Sequence, residues 1–325
     1  MTQKNNRPLN KNCLVTGAAG FVGAHLVRRL LAGGCPVTGI DCFTDYYDRQ
    51  IKENNVADLL KNPSFKLIRR DVVDIEDSWV DGVQWVFHQA AQAGVRASWG
   101  GEFTHYTRHN VLATQRLLEW AVRSKPERLV YASSSSVYGD TGKLPMHEND
   151  LPRPLSPYGV TKLAAEHLCG LYHQNFAVPA VSLRYFTVYG PGQRPDMAFY
   201  RFIHSILEDS EIVVYGSGEQ TRDFTFIDDI VEANLAAAQA GLAAGRVYNI
   251  GGGSRISVNG VLEILQNLAG KQLSIRHEPV QAGDPPHTYA DTAKAKEELG
   301  FIPRTPLEKG LNIMLTSFKK RIMSS

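Results

Sequence analysis

The stretch VTGAAGFVG (residues 15–23) places three glycines where an apolar, strand-like segment meets an amphipathic helical segment. Gly17, Gly20 and Gly23 follow the spacing G-x-x-G-x-x-G. Because glycine has no side chain, such a turn lets a pyrophosphate approach the N–H groups of a helix N-terminus, whose dipole favours negative charge. A purely structural turn accounts for the same glycines, so the stretch alone predicts a strand–turn–helix unit and leaves its ligand open.

Strand-like and helical segments alternate outward from this turn as far as about residue 190. Such alternation is typical of an α/β fold with a doubly wound, Rossmann-type parallel sheet. Beyond that point the glycine and proline content rises and the segments shorten. We therefore predict a Rossmann domain that returns to the sheet near VYNIGG, and a smaller, discontinuous C-terminal domain. Their expected ranges are 1–189 plus about 225–252, and about 190–224 plus 253–325.

Composition limits the function classes. With 325 residues, of which 43% are hydrophobic, the chain can bury a large core. A net charge of +2 gives no electrostatic reason to expect nucleic acid or an anionic membrane as partner. The four cysteines have no C-x-x-C spacing, and no apolar run is long enough for a signal peptide or a membrane span. We expect a cytoplasmic protein with reduced thiols and no nucleic-acid or membrane partner.

Two aspartates follow the next strand-like segments. Asp41 ends VTGID, 24 residues after Gly17. A carboxylate there can accept both ribose hydroxyls of an adenosine and would repel a 2′-phosphate, which favours NAD over NADP. Asp71 closes LIRRD, where its carboxylate could accept the adenine amino group. A helix cap is an equally good explanation of Asp71.

Tyr158 and Lys162 lie four residues apart in SPYGVTKLAAE and share one helix face. A free tyrosine loses its proton near pH 10 and is therefore a poor base at neutral pH. We expect the nearby ammonium, together with a positive nicotinamide ring, to favour the phenolate. The spacing alone occurs by chance in many helices, but with the glycine turn it indicates a class of enzyme.

These motifs, with HQAA (88–91), SSSSVYG (133–139) and RYFTVYGPG (184–192), resemble the extended short-chain dehydrogenase/reductase superfamily, in particular its NAD-dependent nucleotide-sugar epimerases and dehydratases. The resemblance runs from about residue 12 to residue 311. In that family a bound NAD takes a hydride from a sugar carbon while the tyrosine removes the hydroxyl proton. The resemblance implies that Ser134 is the hydroxyl partner of Tyr158 and Lys162.

The resemblance also implies a set of NAD-binding residues. Asn110 matches a family position that orders the cofactor loop. The whole set comprises Gly17, Gly20, Phe21, Val22, Gly23, Asp41, Asp71, Val72, Ala90, Ala91, Asn110, Tyr158 and Lys162.

Ser135 and Ser136 limit which of the family's reactions the resemblance implies. Relatives that are 4,6-dehydratases carry an Asp-Glu pair immediately before VYG, and a decarboxylase carries a glutamate at the second position. This chain has serines at both positions, so the resemblance implies epimerisation at carbon 4 without dehydration or decarboxylation. Alternatively, one of the two serines simply satisfies backbone groups at a strand end.

The sugar is indicated by RYFTVYGP, RPDMAF and GVRASWG, which are similar to UDP-glucuronate 4-epimerases of the compact bacterial kind. Relatives acting on neutral UDP-hexoses usually have asparagine at the position of Thr187. Oxidising glucuronate at carbon 4 creates a β-keto acid, which loses carbon dioxide when its carboxylate can rotate. We expect Ser135, Ser136 and Thr187 to hold that carboxylate by hydrogen bonds. The predicted reaction interconverts UDP-glucuronate and UDP-galacturonate.

Two alternatives stay open on sequence alone. One is a UDP-hexose 4-epimerase, acting on UDP-glucose and UDP-galactose or their N-acetyl forms. The other is a redox sensor or scaffold that binds NAD without turnover, although such proteins typically lose the tyrosine or the lysine.

Further substrate residues follow from the resemblance. Arg96 is expected at the sugar or a phosphate, Arg194 and Arg222 at the uridine and diphosphate, and Asp284 in the GD motif beside them. Gln281 stands where the family often has a second arginine, which leaves part of the phosphate clamp undefined.

Two helical segments, 103–124 and 157–175, are amphipathic enough to pair with symmetry mates, so we expect a homodimer like those of the family. His105 and His109 are spaced like a metal pair in the first of them, but no third ligand accompanies them in the sequence. We predict no metal.

Overall fold

The computed structural model describes residues 9–323 and forms three β-sheets. The strands are β1 (Cys13–Thr16), β2 (Val37–Ile40), β3 (Phe65–Ile68), β4 (Trp85–His88), β5 (Arg128–Ser134), β6 (Ala180–Tyr185), β7 (Thr187–Tyr189), β8 (Ile212–Tyr215), β9 (Thr221–Phe226), β10 (Val247–Ile250), β11 (Arg255–Ser257) and β12 (Ile275–Glu278).

Helices flank these sheets. They are α1 (Phe21–Ala32), α2 (Arg49–Ala57), α3 (Phe103–Tyr106), α4 (Ala113–Ser124), α5 (Pro157–Phe176), α6 (Ala198–Leu207), α7 (Ile227–Gln239), α8 (Val258–Ala269), α9 (Ala293–Leu299) and α10 (Leu307–Met323). Within residues 9–323, none of them is long and apolar enough to cross a membrane.

The main sheet has seven parallel strands in the order β10-β6-β5-β4-β1-β2-β3. The chain moves outward from β1 in both directions, so β1 and β4 flank a topological switch point. At such a point the carboxyl ends of the strands open a crevice that binds ligands. The predicted doubly wound α/β fold is confirmed, and the return to the sheet is β10, which pairs with β6.

The core lies on both faces of the main sheet because successive strand residues point to opposite sides. In β1, Val15 belongs to one apolar cluster and Leu14 to the other. A third cluster lies beneath the small sheet of β7, β9 and β11, around Tyr189 and Phe199, and includes Met314 of α10. Separate clusters suit the two-domain division that the sequence suggests, and that division stays a prediction.

The segment 103–124 is not one regular helix. Between α3 and α4 the chain forms a π-helical segment, Thr107–Leu112. Such wider turns are rare and often occur at functional sites. The segment contains Asn110, which is buried and hydrogen-bonded to the loop after β4. Side-chain bonding from Asn110 to that loop is a tertiary contact that periodicity in the sequence does not reveal.

Candidate active site

The glycine turn joins β1 to α1 with very little space around its backbone. Gly17 has φ +69°, in the left-handed region that favours glycine. A Cβ at Gly23 would lie 2.0 Å from the Gly17 carbonyl oxygen, so no side chain fits there. The first turn of α1 has no side-chain cap, because its N-cap residue is Gly20. This turn leaves helix N–H groups available and fits a pyrophosphate.

A cleft of about 1100 Å³ extends from this turn across the carboxyl ends of the main sheet to the smaller sheets. It brings together nearly all the residues predicted for cofactor and substrate. Its lining includes Gly17, Gly20, Phe21, Val22, Gly23, Asp41, Asp71, Val72, Ala90, Ala91, Arg96, Ser134, Ser135, Ser136, Tyr158, Lys162, Thr187, Arg194, Arg222 and Asp284. Asn110 is the exception and does not line the cleft.

Asp41 is held at the end of β2 by three donors. Its carboxylate accepts hydrogen bonds from the N–H groups of Ala19 at 3.1 Å and Phe43 at 2.8 Å. The Lys52 ammonium, on α2, donates to it at 3.1 Å. Lys52 also lines the cleft and is only 7% exposed. The sequence analysis missed Lys52, because a lysine in the polar segment RQIKENNVA resembles an ordinary solvated residue.

Asp71 caps a short helical turn, and its predicted contact with the adenine amino group stays a prediction. One carboxylate oxygen accepts the Val73 N–H at 3.0 Å and so caps a short helical turn. The other oxygen accepts from Arg108 at 3.0 Å, and the side chain lines the cleft. Cys42 and His109 lie close enough for a metal to share all three groups, within 4.8 Å of one another. Since Arg108 already holds this carboxylate, we propose no metal there.

Tyr158 stands at the first turn of α5, facing Ser134 at the end of β5. Burial raises the pKa of Tyr158, while its hydrogen bond with Ser134 and the charge of Arg194 act in the opposite direction. Lys162 donates instead to the Ala132 carbonyl at 2.7 Å, and burial lowers the pKa of Lys162 to about 7. The expectation that Lys162, together with the nicotinamide ring, favours the Tyr158 phenolate stays a prediction.

Asn110 supports the site from behind instead of lining it. Its side chain accepts from the Gln92 N–H at 2.7 Å and donates to the Gln92 carbonyl at 3.0 Å and to Thr161 at 2.9 Å. Thr161 in turn donates to the Tyr158 carbonyl at 2.8 Å. Asn110 thus ties the loop after β4 to the helix that carries Tyr158 and Lys162.

A buried histidine extends this support to β1, and the sequence analysis missed it. His88 hydrogen-bonds with Thr16 at 2.7 Å and with Thr114 at 3.0 Å. Thr114 donates to the Asn110 carbonyl at 2.6 Å. Burial lowers the pKa of His88 to about 3, so the imidazole is neutral at physiological pH and acts as a hydrogen-bonding link. Its position as the last residue of β4, at the end of the sheet where ligands bind, is the feature of the sequence that could have indicated a role near the site.

Three predicted carboxylate-binding hydroxyls, those of Ser135, Ser136 and Thr187, line the cleft and are called the hydroxyl wall below. Ser135 and Ser136 follow β5, and Thr187 begins β7 just after β6, the neighbour of β5. In the described part of the chain, no hydrogen bond is recorded for these three hydroxyls, and all three residues line the cleft. They are therefore available to a ligand.

The cationic residues in the cleft are already engaged with protein groups. Arg96 forms an ion pair with Asp284 at 3.0 Å. Arg194 makes two bonds to Asp196, both at 2.9 Å. Arg222 donates to the carbonyls of Thr221 and Pro286. All three arginines line the cleft, as predicted, but the pairing of Arg96 with Asp284 and of Arg194 with Asp196 was not predicted.

A buried ion pair adjoins Ser133, the first residue of the serine run 133–136, called the serine row below. Arg184, on β6, binds Glu166, on α5, through two hydrogen bonds of 2.6 and 3.0 Å. Glu166 also accepts from Ser133 at 2.6 Å. Both charged side chains are at most 5% exposed. The pair therefore joins β6 to α5, the helix that carries Tyr158 and Lys162. The Ser133 hydroxyl adds the end of β5 to this link.

Replacing Glu166 by alanine should lower the free energy of unfolding by about 3–5 kcal/mol, because it leaves the Arg184 guanidinium buried without a partner. Denaturant unfolding followed by circular dichroism measures this loss. The control is Glu53→Ala, which breaks the exposed pairs with Arg49 and Arg69 and should cost at most about 1 kcal/mol. Equal losses in the two variants would contradict this account.

Comparison with known proteins identifies the family. Residues 13–251 match the NAD dependent epimerase/dehydratase family. A Bacillus subtilis (strain 168) protein named "Uncharacterized UDP-glucose epimerase YtcB" is 44% identical over 301 residues, which cover 92% of this chain and 95% of that protein. The UDP-glucuronate 4-epimerase of Thermodesulfobacterium geofontis (strain OPF15) is 37% identical over 317 residues, with coverages of 95% and 96%.

Comparison with a solved structure also places the chain in this family. The crystal structure of UDP-glucuronic acid 4-epimerase from Bacillus cereus, in complex with UDP-glucuronic acid and NAD, superposes with a TM-score of 0.93 at 42% identity. The match covers 95% of this chain and 99% of that one. Together with the glycine turn, the acid at the end of β2 and the Tyr158–Ser134 pair, these matches show that the chain belongs to the NAD-dependent epimerase/dehydratase family.

Proposed function

We propose that this protein is a UDP-glucuronate 4-epimerase, which interconverts UDP-glucuronate and UDP-galacturonate through a 4-keto intermediate. The observation that carries the proposal is that three neutral hydroxyl residues, Ser135, Ser136 and Thr187, line the same cleft as Tyr158. The similarity to two UDP-glucuronate 4-epimerases supports it.

Tyr158 would act as the base that removes the proton from the sugar's 4-hydroxyl. Burial raises the pKa of Tyr158, so the phenolate needs support from its neighbours. Ser134 donates a hydrogen bond to the developing phenolate, and Arg194 stabilises its charge. Because the same groups favour return of the proton to the ketone oxygen in the reverse direction, one tyrosine serves both half-reactions.

The cofactor is NAD, and the chain's own residues fit it. The tight turn at Gly17 and Gly23 leaves room for the pyrophosphate, and the Asp41 carboxylate is placed to accept ribose hydroxyls. When bound beside Tyr158, the cofactor would supply a reversible hydride acceptor for carbon 4, and the ketone would be reduced again from its opposite face. Lys162, held on the Ala132 carbonyl at the base of the cleft, would help to orient the cofactor beside Tyr158.

The hydroxyl wall would keep the sugar's carboxylate in place. The 4-keto intermediate is a β-keto acid, and loss of carbon dioxide requires the breaking carbon–carbon bond to align with the ketone π system. Hydrogen bonds from Ser135, Ser136 and Thr187 would hold the carboxylate away from that alignment, at about 1.5–3 kcal/mol per bond to a charged group. A carboxylate at position 135 or 136 would repel the substrate instead.

The diphosphate would be bound by Arg96 and Arg222, whose present partners are protein groups. Arg96 would exchange Asp284 for a phosphate, since both are anionic acceptors and the ion pair is partly exposed, at 43% for Arg96. Asp284 would then act as a placeholder for the substrate's charge, and a direct contact with the sugar is not needed.

Incubating the purified protein with UDP-glucuronate and, separately, with UDP-glucose tests the proposal, with the products resolved by chromatography. UDP-galacturonate should form, and UDP-galactose should form at a much lower rate. UDP-hexose 4-epimerase is the second candidate, because the 44% identical Bacillus subtilis protein is named a UDP-glucose epimerase. Faster conversion of UDP-glucose would establish that candidate and exclude the first.

The proposal includes a homodimer and a cytoplasmic location. Exposed apolar side chains on α5, Val160 and Leu171, are about half accessible. Phe103 and Leu112 are similarly exposed on the neighbouring α3 and π-helical segment, so the two surfaces could pair across a two-fold axis. All four cysteines are free thiols, which suits a reducing compartment.

Leu171→Glu should convert the dimer into a monomer, because it places a charge in the centre of an apolar contact. Sedimentation at micromolar concentration distinguishes a dimer from the 36.0 kDa chain. Leu242→Glu is the control, since Leu242 is 77% exposed in the turn after α7 and belongs to neither of the two surfaces. A wild-type protein that sediments only as the single chain would contradict the dimer.

A further inference from the structure

The Asp41 carboxylate gathers donors from three separate parts of the fold. Ala19 belongs to the glycine turn, Phe43 to the segment after β2, and Lys52 to α2. Two backbone N–H groups and one ammonium therefore point at a single position. The carboxylate that now occupies this position is only 5% exposed. Removing it would leave three convergent donors without an acceptor.

Lys52 contributes most of the charge at this position. Asp41 is the one salt-bridge partner recorded for Lys52 within residues 9–323. The rings of Phe43 and Tyr47 lie 5.8 and 5.6 Å from the ammonium and shield it from water. The nearby Arg69 is bound to Glu53, so its charge is already compensated.

We propose that Lys52, with the N–H groups of Ala19 and Phe43, forms a latent site for the 2′-phosphate of NADP, which Asp41 masks. Two backbone N–H groups and an ammonium are a donor set that holds phosphate as well as carboxylate. In the wild type, Asp41 fills the site and repels a second anion. Lys52 is thus a specificity-determining residue whose charge would favour NADP. The preference for NAD depends on the Asp41 side chain that masks it.

The inference rests on the proposed position of the adenosine ribose at Asp41. Asp41→Ala should shorten the side chain, expose the three donors and make NADP the better ligand. We expect the ratio of NADP affinity to NAD affinity to rise at least about tenfold over the wild type, the effect of gaining one hydrogen bond between charged groups. Chromatography of the nucleotide released from denatured protein, and the rise in Tm with each nucleotide, measure this independently of sugar turnover.

A second substitution tests the role of Lys52 itself. Asp41→Ala combined with Lys52→Met should lose the gain in NADP preference, because the buried cation is gone. The matched control combines Asp41→Ala with Lys66→Met, which removes an exposed lysine on β3, and it should keep the preference. An equal NADP preference in all three variants would overturn the assignment of Lys52.

Asp41→Asn covers the case in which the alanine variant is poorly folded. The amide removes the negative charge while it keeps an acceptor for one backbone N–H, so the discrimination against NADP should still weaken. If Asp41→Ala unfolds, added NADP should restore its folding more effectively than NAD. Failure of both variants to respond to NADP overturns the latent site. Wild-type protein that neither retains NAD nor gains Tm with added NAD would contradict the cofactor site itself, and therefore the proposed function.

Discussion

Tyr158→Phe is expected to lower kcat by roughly 10²–10⁴-fold, the usual contribution of a general base, while the affinity for UDP-glucuronate stays nearly unchanged. The substitution removes one oxygen atom and leaves the aromatic ring, whose edge-on contact with Tyr106 has a centroid distance of 6.2 Å. The hydroxyl that faces Ser134 in the cleft is the proposed proton acceptor, and phenylalanine offers none in its place.

Initial rates with UDP-glucuronate, together with binding of the substrate by calorimetry, separate the effect on kcat from the effect on affinity. Tyr172→Phe is the matched control, because it makes the same chemical change on the same helix but outside the cleft, where Tyr172 donates to Glu119. The control should keep its kcat. Turnover by Tyr158→Phe near the wild-type rate would rule out this tyrosine as the base.

Thr187→Ala should allow the intermediate to decarboxylate. Tyr158, Lys162 and Ser134 are unaffected, so oxidation at carbon 4 should continue. Loss of one hydrogen bond to a charged group, about 1.5–3 kcal/mol, corresponds to a change of roughly 10- to 150-fold in how the intermediate partitions. The variant should release carbon dioxide with a UDP-4-keto-pentose, or UDP-xylose after its reduction, while the wild type releases almost none.

Product analysis by mass spectrometry, with the substrate labelled in its carboxylate carbon, detects both outcomes. Thr44→Ala is the matched control, since Thr44 lines the same cleft close to Asp41 and far along the chain from the hydroxyl wall. It should form no pentose. A Thr187→Ala variant that is inactive and also forms no pentose would remove Thr187 from the carboxylate site, and the preference for glucuronate would then depend on similarity to relatives.

Local patterns in the sequence predicted the parts of the site that depend on neighbouring residues. The G-x-x-G-x-x-G spacing indicated the β1–α1 turn because backbone conformation and close packing there tolerate only glycine. The alternation of strands and helices indicated the parallel sheet, and Tyr158 and Lys162 face the cleft together because four residues span one helical turn.

Long-range pairing could not be predicted in this way. The Arg96–Asp284 ion pair joins residues that are 188 positions apart. The Arg184–Glu166 pair, behind the serine row, depends on where β6 and α5 meet. The local sequence around a charged residue does not show which distant residue it will pair with. Each of these arginines could therefore be interpreted only as a candidate ligand or a solvated side chain.

The sequence by itself determined the class of fold and the position of the glycine turn, because these follow from short patterns whose conformation is local. The reacting groups that the family resemblance implies stay a prediction. Only the tertiary structure decided the electrostatics of the site. Burial raises the pKa of Tyr158, and Ser134 and Arg194 oppose that shift. The buried Lys52–Asp41 ion pair arose in the same way, since the fold brings α2 to the residue that follows β2. The free energy of a charge depends on the solvent and partners that the whole fold places around it, and no local pattern encodes them.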